Sequence, residues 1–219
     1  MKHTLKLSAA ALLLSALSAS AAYQVTVRNF TNSTNGFPII DNAGNPLANG
    51  LIGVGTFPVG FDFNVPAADV LAAFQQFGAS VMEPPLSTGG FPGLFNNTIS
   101  GSIPNTSTAG DAGFFGDQIY TVIGDATSSL GDASFLAVLT DGGTFGKEDT
   151  AGNGAAAADY APASTTGVTQ IAYGDLVNGP FAIGPFTFAV GAQQVNVPEP
   201  STSLLAGLAG LALLVRRRR

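Results

Sequence analysis

The sequence predicts a mainly β chain: an antiparallel, sandwich-like domain over residues 23–196 with one short amphipathic helix. An N-terminal signal helix (1–22) and a C-terminal transmembrane segment (197–219) are expected to flank it. Three observations predict this. Short runs alternate apolar and polar residues or are wholly apolar, as strands are. Clusters of Gly, Asn, Asp and Pro separate them as turns do. Only one internal stretch carries its apolar residues at helical spacing.

The elements follow in order. Residues 23–28 alternate, with Tyr23, Val25 and Val27 on one face; 32–36 is a turn, 37–40 a short apolar run and 41–45 a second turn. Strands are expected at 51–57 and 61–65, broken by Pro58 and Gly60. Residues 67–77 set Val70, Leu71, Phe74 and Phe77 on one helical face. Pro66 suits the first turn, Asp69 complements the helix dipole and Gly78 suits the position after the last turn. Such a helix caps a core or, alternatively, offers a partner-binding groove. The clearest central strands are 118–123 and 134–139, separated by a loop; 169–173, 185–190 and 193–197 close the series. Two stretches read as irregular: 84–110, where 20 of 27 residues are Gly, Pro, Ser, Thr or Asn, and 148–167, with its Ala155–158 run; the alternative for the first is that Phe91, Leu94, Phe95, Ile99 and Ile103 pin part of it down as strand.

Composition narrows the chemistry. Within 23–196 only Arg28 and Lys147 oppose eleven aspartates, Glu83 and Glu148, a charge near −11, so nucleic acid is not an expected partner. All sixteen phenylalanines lie in this region and supply core bulk. There is no cysteine, and the one histidine is His3. A chain without His or Cys beyond residue 3 has no Ser-His-Asp or Cys-His nucleophile system and no nitrogen- or sulfur-ligated zinc.

What chemistry remains rests on oxygen. Asp111 and Asp117 flank a Gly-Phe-Phe-Gly turn, and Asp125 and Asp132 flank another loop. Oxygen clusters suit calcium, but no calcium-loop order is present, and Asp in turns is first a turn former. No cofactor is expected. Glycosidase chemistry needs two carboxylates in a cleft; Glu83, Glu148 and Asp149 are the carboxylates to watch. Without Trp, an aromatic platform for sugars would come from Tyr120, Tyr160, Tyr173 or an exposed Phe. Asn29, Asn32, Asn96 and Asn105 each open a glycosylation-type triplet.

The two ends carry sorting signals. Lys2, His3 and Lys6 precede an apolar run at 7–17, and Ser20 and Ala22 supply small residues for cleavage before Tyr23, which implies the Sec translocon as a partner. At the other end Val197, Pro198, Glu199 and Pro200 form a stiff extended handle. An apolar stretch follows with Leu204, Leu205, Leu208, Leu211, Leu213, Leu214 and Val215, then Arg216, Arg217, Arg218 and Arg219. As a helix, 204–215 spans about 18 Å, short of the roughly 30 Å hydrocarbon core; residues 201–203 and snorkelling arginine stems extend it. The arginines stay cytoplasmic by the positive-inside rule. The alternative is a buried C-terminal helix with a basic end.

Taken together, these last residues resemble a PEP-CTERM sorting domain, the substrate signal of exosortases. The resemblance implies processing near 198–200 by an integral-membrane cysteine transpeptidase, export, and frequent association with exopolysaccharide and biofilm genes. It covers about a tenth of the chain. The expected role is therefore an exported, non-catalytic protein of the cell surface or extracellular matrix, anchored in the inner membrane as an intermediate. A glycan- or calcium-binding adhesion module is the alternative, with exopolysaccharide a candidate partner; a carboxylate-dependent hydrolase is the third reading.

Overall fold

Alternation at the start of the domain produces its first strand. β1 (Tyr23–Arg28) buries Tyr23, Val25 and Val27 and turns the intervening residues outward. The computed structural model describes residues 23–32, 35–82, 91–108, 113–149, 151–160, 170–178, 186 and 188–195. The expected signal helix and transmembrane segment lie outside the described residues. Among those residues no helix is long and apolar enough to cross a membrane.

β1 is the middle of a three-stranded sheet. β7 (Asn96–Gly101) pairs with it antiparallel and β10 (Gly154–Asp159) pairs with it parallel, setting Val25 opposite Ile99 and Ala156. Both partners come from stretches that read as irregular. Their small, polar residues carry little strand signal of their own; the ladder offered by β1 makes them strands. Gly154 is required there, because a Cβ would overlap the Tyr23 ring.

The larger sheet is antiparallel throughout. Its order is β11 (Gln170–Tyr173), β9 (Phe135–Thr140), β8 (Tyr120–Gly124), β5 (Leu51–Thr56) and β6 (Gln75–Val81), and β14 (Gln193–Gln194) completes the outer edge of β9. A third sheet holds β12 (Asp175–Asn178), β13 (Phe188–Gly191) and β4 (Ile39–Ile40), with β13 and β4 parallel. β2 (Phe30–Asn32) and β3 (Asn35–Gly36) form a hairpin. The chain is thus mainly β and its largest sheet is antiparallel as expected, while each three-stranded sheet adds one parallel pairing. Parallel pairing needs a long crossover, and most of the domain separates β1 from β10.

Both faces of the six-stranded sheet are covered. On the inner face Ile52, Val54, Ile123 and Leu139 share one cluster with Val25 and Val27 of the smaller sheet. On the outer face Leu51, Val122, Leu136 and Val138 meet Ala67 and Val70 of α1 (Ala67–Ala73) and Phe57 of the loop that precedes it. Burial on both sides explains why β5, β8 and β9 read as apolar runs.

Helix and strand expectations between 61 and 78 need correcting. The helix stops at Ala73, and Phe74 is already extended at φ −71°, ψ 121°. Gly53 and Gly55 leave a trough on β5 in which the Phe74 ring lies: a Cβ at Gly53 would sit 3.2 Å from Phe74 Cε1. With Phe74 seated, 75–81 pairs along β5, and that ladder outweighs one more helical turn. Gly78 is therefore a strand residue against Ile99, not a helix stop. Phe77 leaves the helical face and packs on Tyr23, Phe114 and Phe145. Residues 61–65 are not a strand either. Asp62 Oδ1 accepts from Asn64 N and Nδ2, both at 2.9 Å, and bends the chain back. Phe57, Phe61 and Phe63 then pack ring on ring, with centroids 4.9 to 5.2 Å apart. Within the apolar run 37–40 the strand is β4, the strands expected at 185–190 and 193–197 contain β13 and β14 among the described residues, and β12 was not foreseen.

One polar side chain joins several of these pieces. Asn29 is fully buried. Its Nδ2 donates to Phe37 O at 2.6 Å and Gly93 O at 2.8 Å, and its Oδ1 accepts from Phe95 N at 2.8 Å. The amide thus ties the end of β1 to the segments leading into β4 and β7. Replacing Asn29 by Ala strands the buried Phe37 O and Phe95 N at about 1–3 kcal/mol each, while Gly93 O keeps its bond from Ile39 N at 2.9 Å. We expect Asn29→Ala to lower unfolding stability by about 2 kcal/mol or more in urea titrations with an unchanged slope. Asn96→Ala, on the exposed side of β7, is expected to stay within about 0.5 kcal/mol of the parent.

Candidate functional site

The last described residues run beside β9. Gln193 pairs with Leu136 and Gln194 with Phe135, and the Val195 N–H donates to Ser134 O at 2.8 Å. Val195 is buried in the outer cluster. Asp125 fixes the start of β9: its Oδ1 accepts from Ser134 N at 2.6 Å and Phe135 N at 3.1 Å. A residue considered as a calcium ligand thus holds the strand on which the chain end docks. The sorting residues Val197, Pro198, Glu199 and Pro200, the apolar stretch 204–215, Arg216 to Arg219, and the cleavage residues Ser20 and Ala22 all lie outside the described residues.

The remaining acidic candidates do not converge. Asp111 and Glu83 lie outside the described residues, and Asp132 is exposed at the end of a 3-10 turn (Leu130–Asp132). Among the described residues no three acidic or histidine side chains gather as a metal site. Glu148 Oε1 accepts from Ser102 Oγ at 3.0 Å and Ile103 N at 3.1 Å. Its neighbour Asp149 is engaged in a turn.

That turn occurs twice. Asp41-Asn-Ala-Gly-Asn45 and Asp149-Thr-Ala-Gly-Asn153 share one bonding scheme. In each, the aspartate Oδ1 accepts from the N–H groups two and four residues on, at 2.9 and 2.8 Å for Asp41 and at 2.8 Å for both in Asp149. The aspartate carbonyl accepts from the glycine N–H, at 3.1 and 3.0 Å. Gly44 and Gly152 adopt φ of +83° and +82°, the left-handed conformation that glycine tolerates best. The repeat is legible as a shared Asp-x-Ala-Gly-Asn pentapeptide, but sequence reading found only the first as a turn. Partial burial pushes the Asp41 carboxyl up, but the Asn45 side chain and the N–H groups of Asn45, Ala43 and Gly44 together bring it below its ordinary value. The Asn153 N–H leads the donors that do the same for Asp149.

Of the tyrosines considered as a sugar platform, Tyr160 is enclosed, with its hydroxyl 2.7 Å from Thr121 Oγ1. Tyr120 and Tyr173 are half-buried on the outer face, where burial raises both phenols. Tyr120 lies at a cleft of about 300 Å³ bounded by Pro58, Val59, Asp117, Gln118 and Thr144. Phe57 meets the Tyr120 ring edge-on at 5.1 Å, and Phe63 lies against it at 5.6 Å. A larger groove, about 580 Å³, runs past Asp41, Asp175 and Gln193. There the Gln193 amide already donates to Asp175. Among the glycosylation-type triplets, Asn29 is closed to modification by burial, while Asn96 and Asn105 are exposed; the Asn32 side chain lies outside the described residues.

A family model described as the PEP-CTERM protein-sorting motif matches residues 196–219. No curated protein and no solved structure matches the chain. The C-terminal segment is therefore a PEP-CTERM sorting motif, the signal of an exported, exosortase-processed protein.

The twin turns make an acid-sensitive element. Both carboxyls titrate below their ordinary 3.8 in the fold. Their contribution is therefore present above that value and is lost as pH falls through the lowered ones. We expect Asp41→Asn/Asp149→Asn, which keeps an acceptor but removes the ionisation, to flatten stability against pH below about 4. Urea midpoints measured from pH 6 to pH 2.5 check this.

Proposed function

We propose that this chain is a non-catalytic protein of the cell surface or extracellular matrix. Signal peptidase cleaves it before Tyr23 on its way through the Sec translocon. Residues 204–215 then hold it in the inner membrane, Arg216 to Arg219 remain cytoplasmic, and exosortase processes it at 197–200. The observation that carries the reading is the PEP-CTERM protein-sorting motif matched over residues 196–219. Cleavage within 197–200 separates residues 201–219 from the domain and leaves every described contact of the domain in place. Exopolysaccharide is the partner that such a destination brings within reach.

Deleting exosortase is expected to leave an unprocessed species in the membrane fraction, and Pro198→Ala/Glu199→Ala is expected to do the same in a wild-type host. Intact-mass measurement of protein from envelope and supernatant reads both ends at once. Unchanged processing in the deletion strain overturns the proposal.

A further inference from the structure

We propose that the cleft beside Tyr120 binds an uncharged pyranose. Three features of the cleft carry this. First, the Tyr120 ring is held in place by Phe57 and Phe63, so it offers a rigid apolar surface to the C–H face of a sugar at little entropic cost. Second, the cleft includes an apolar, outward residue: Val59, between Pro58 and Gly60, is 101% exposed. A Pro58 O to Phe61 N hydrogen bond of 3.0 Å and a left-handed Gly60 at φ +76° fix that tip. Set at the cleft beside Tyr120, the Val59 side chain adds apolar surface there.

Third, Asp117 lines the cleft, and its carboxylate has no hydrogen-bond partner among the described residues. Its backbone is fixed on both sides: its N–H donates to Phe114 O at 3.0 Å, and its carbonyl accepts from Phe145 N at 2.8 Å. Other aspartates in the fold spend their side chains on turns, as Asp41, Asp62, Asp125, Asp141 and Asp149 do. A carboxylate can only accept, so it calls for hydroxyl donors, and vicinal sugar hydroxyls supply two. The exposed Thr144 and the Gln118 side chain, whose Nε2 donates to Thr140 Oγ1 at 2.9 Å, stand alongside. A volume of about 300 Å³ admits one ring of an oligosaccharide rather than a long chain segment. The acidic domain selects against uronates and other anionic sugars. The larger groove lacks this character, because the Asp41 and Asp175 carboxylates there are already bonded.

The test uses the purified full-length chain in detergent, titrated with methyl pyranosides of glucose, galactose, mannose and N-acetylglucosamine, with glucuronate and with calcium alone. Saturation-transfer NMR reads binding. We expect millimolar, saturable binding of at least one neutral pyranoside. Asp117→Ala should weaken it about tenfold or more, and Val59→Ser should weaken it less. Circular dichroism should be unchanged in both variants. Tyr120→Phe keeps the packed ring and should retain most of the affinity. No saturable pyranoside binding, binding indifferent to Asp117→Ala, a preference for glucuronate, or calcium as the only ligand overturns the proposal. None of these outcomes bears on processing at 197–200, so the two proposals fail separately.

Discussion

A sheet with apolar side chains on both faces must be covered twice, and much of this fold answers that requirement. β5, β8 and β9 carry large apolar residues on alternate sides without a polar face. The smaller sheet closes one side around Val25 and Val27. The other side is closed by a seven-residue helix and a loop of stacked phenylalanines. At about 25 cal/mol per Å² of apolar surface, covering both faces dominates the favourable energy of folding. The polar devices, Asn29 above all, direct where the covers attach. A buried amide left without partners costs more than it contributes when satisfied, which makes Asn29 a guide to register as well as a bond.

Legibility in the sequence followed where the strand signal resides. β1, β8 and β9 advertise themselves through their own apolar residues, and their positions were anticipated within a residue or two. β7 and β10 have almost no signal of their own, since Asn-Asn-Thr and an alanine run become strands only beside β1. The helix was over-extended because Val70, Leu71, Phe74 and Phe77 keep helical spacing while serving two different cores. What broke the pattern was Gly53 and Gly55, about twenty residues earlier, where absent side chains made room for a ring. No local reading of 67–77 contains that information. The sorting motif is the opposite case: its function is written in consecutive residues and needs no fold to be recognised.

The aspartates divide by occupation. Five of them bind backbone N–H groups within turns or at a strand start, and this accounts for much of the domain's acidity without any ligand. An excess of negative charge distributed this way repels itself modestly and keeps an exported domain soluble. Against that background Asp117 stands apart by lining a cleft with no side-chain hydrogen bond to the described residues.

The position of β1 has a further consequence for timing. Its antiparallel neighbour lies at 96–101 and its parallel neighbour at 154–159. A polypeptide delivered amino end first therefore carries an incomplete sheet until residue 159 arrives, and Tyr23 waits without the glycine that accommodates its ring. Loop closure over that separation is slow relative to local hairpins. The sheet built on β1 is therefore completed late, whereas the ladders among β5, β6, β8 and β9 all have both strands once residue 140 is present.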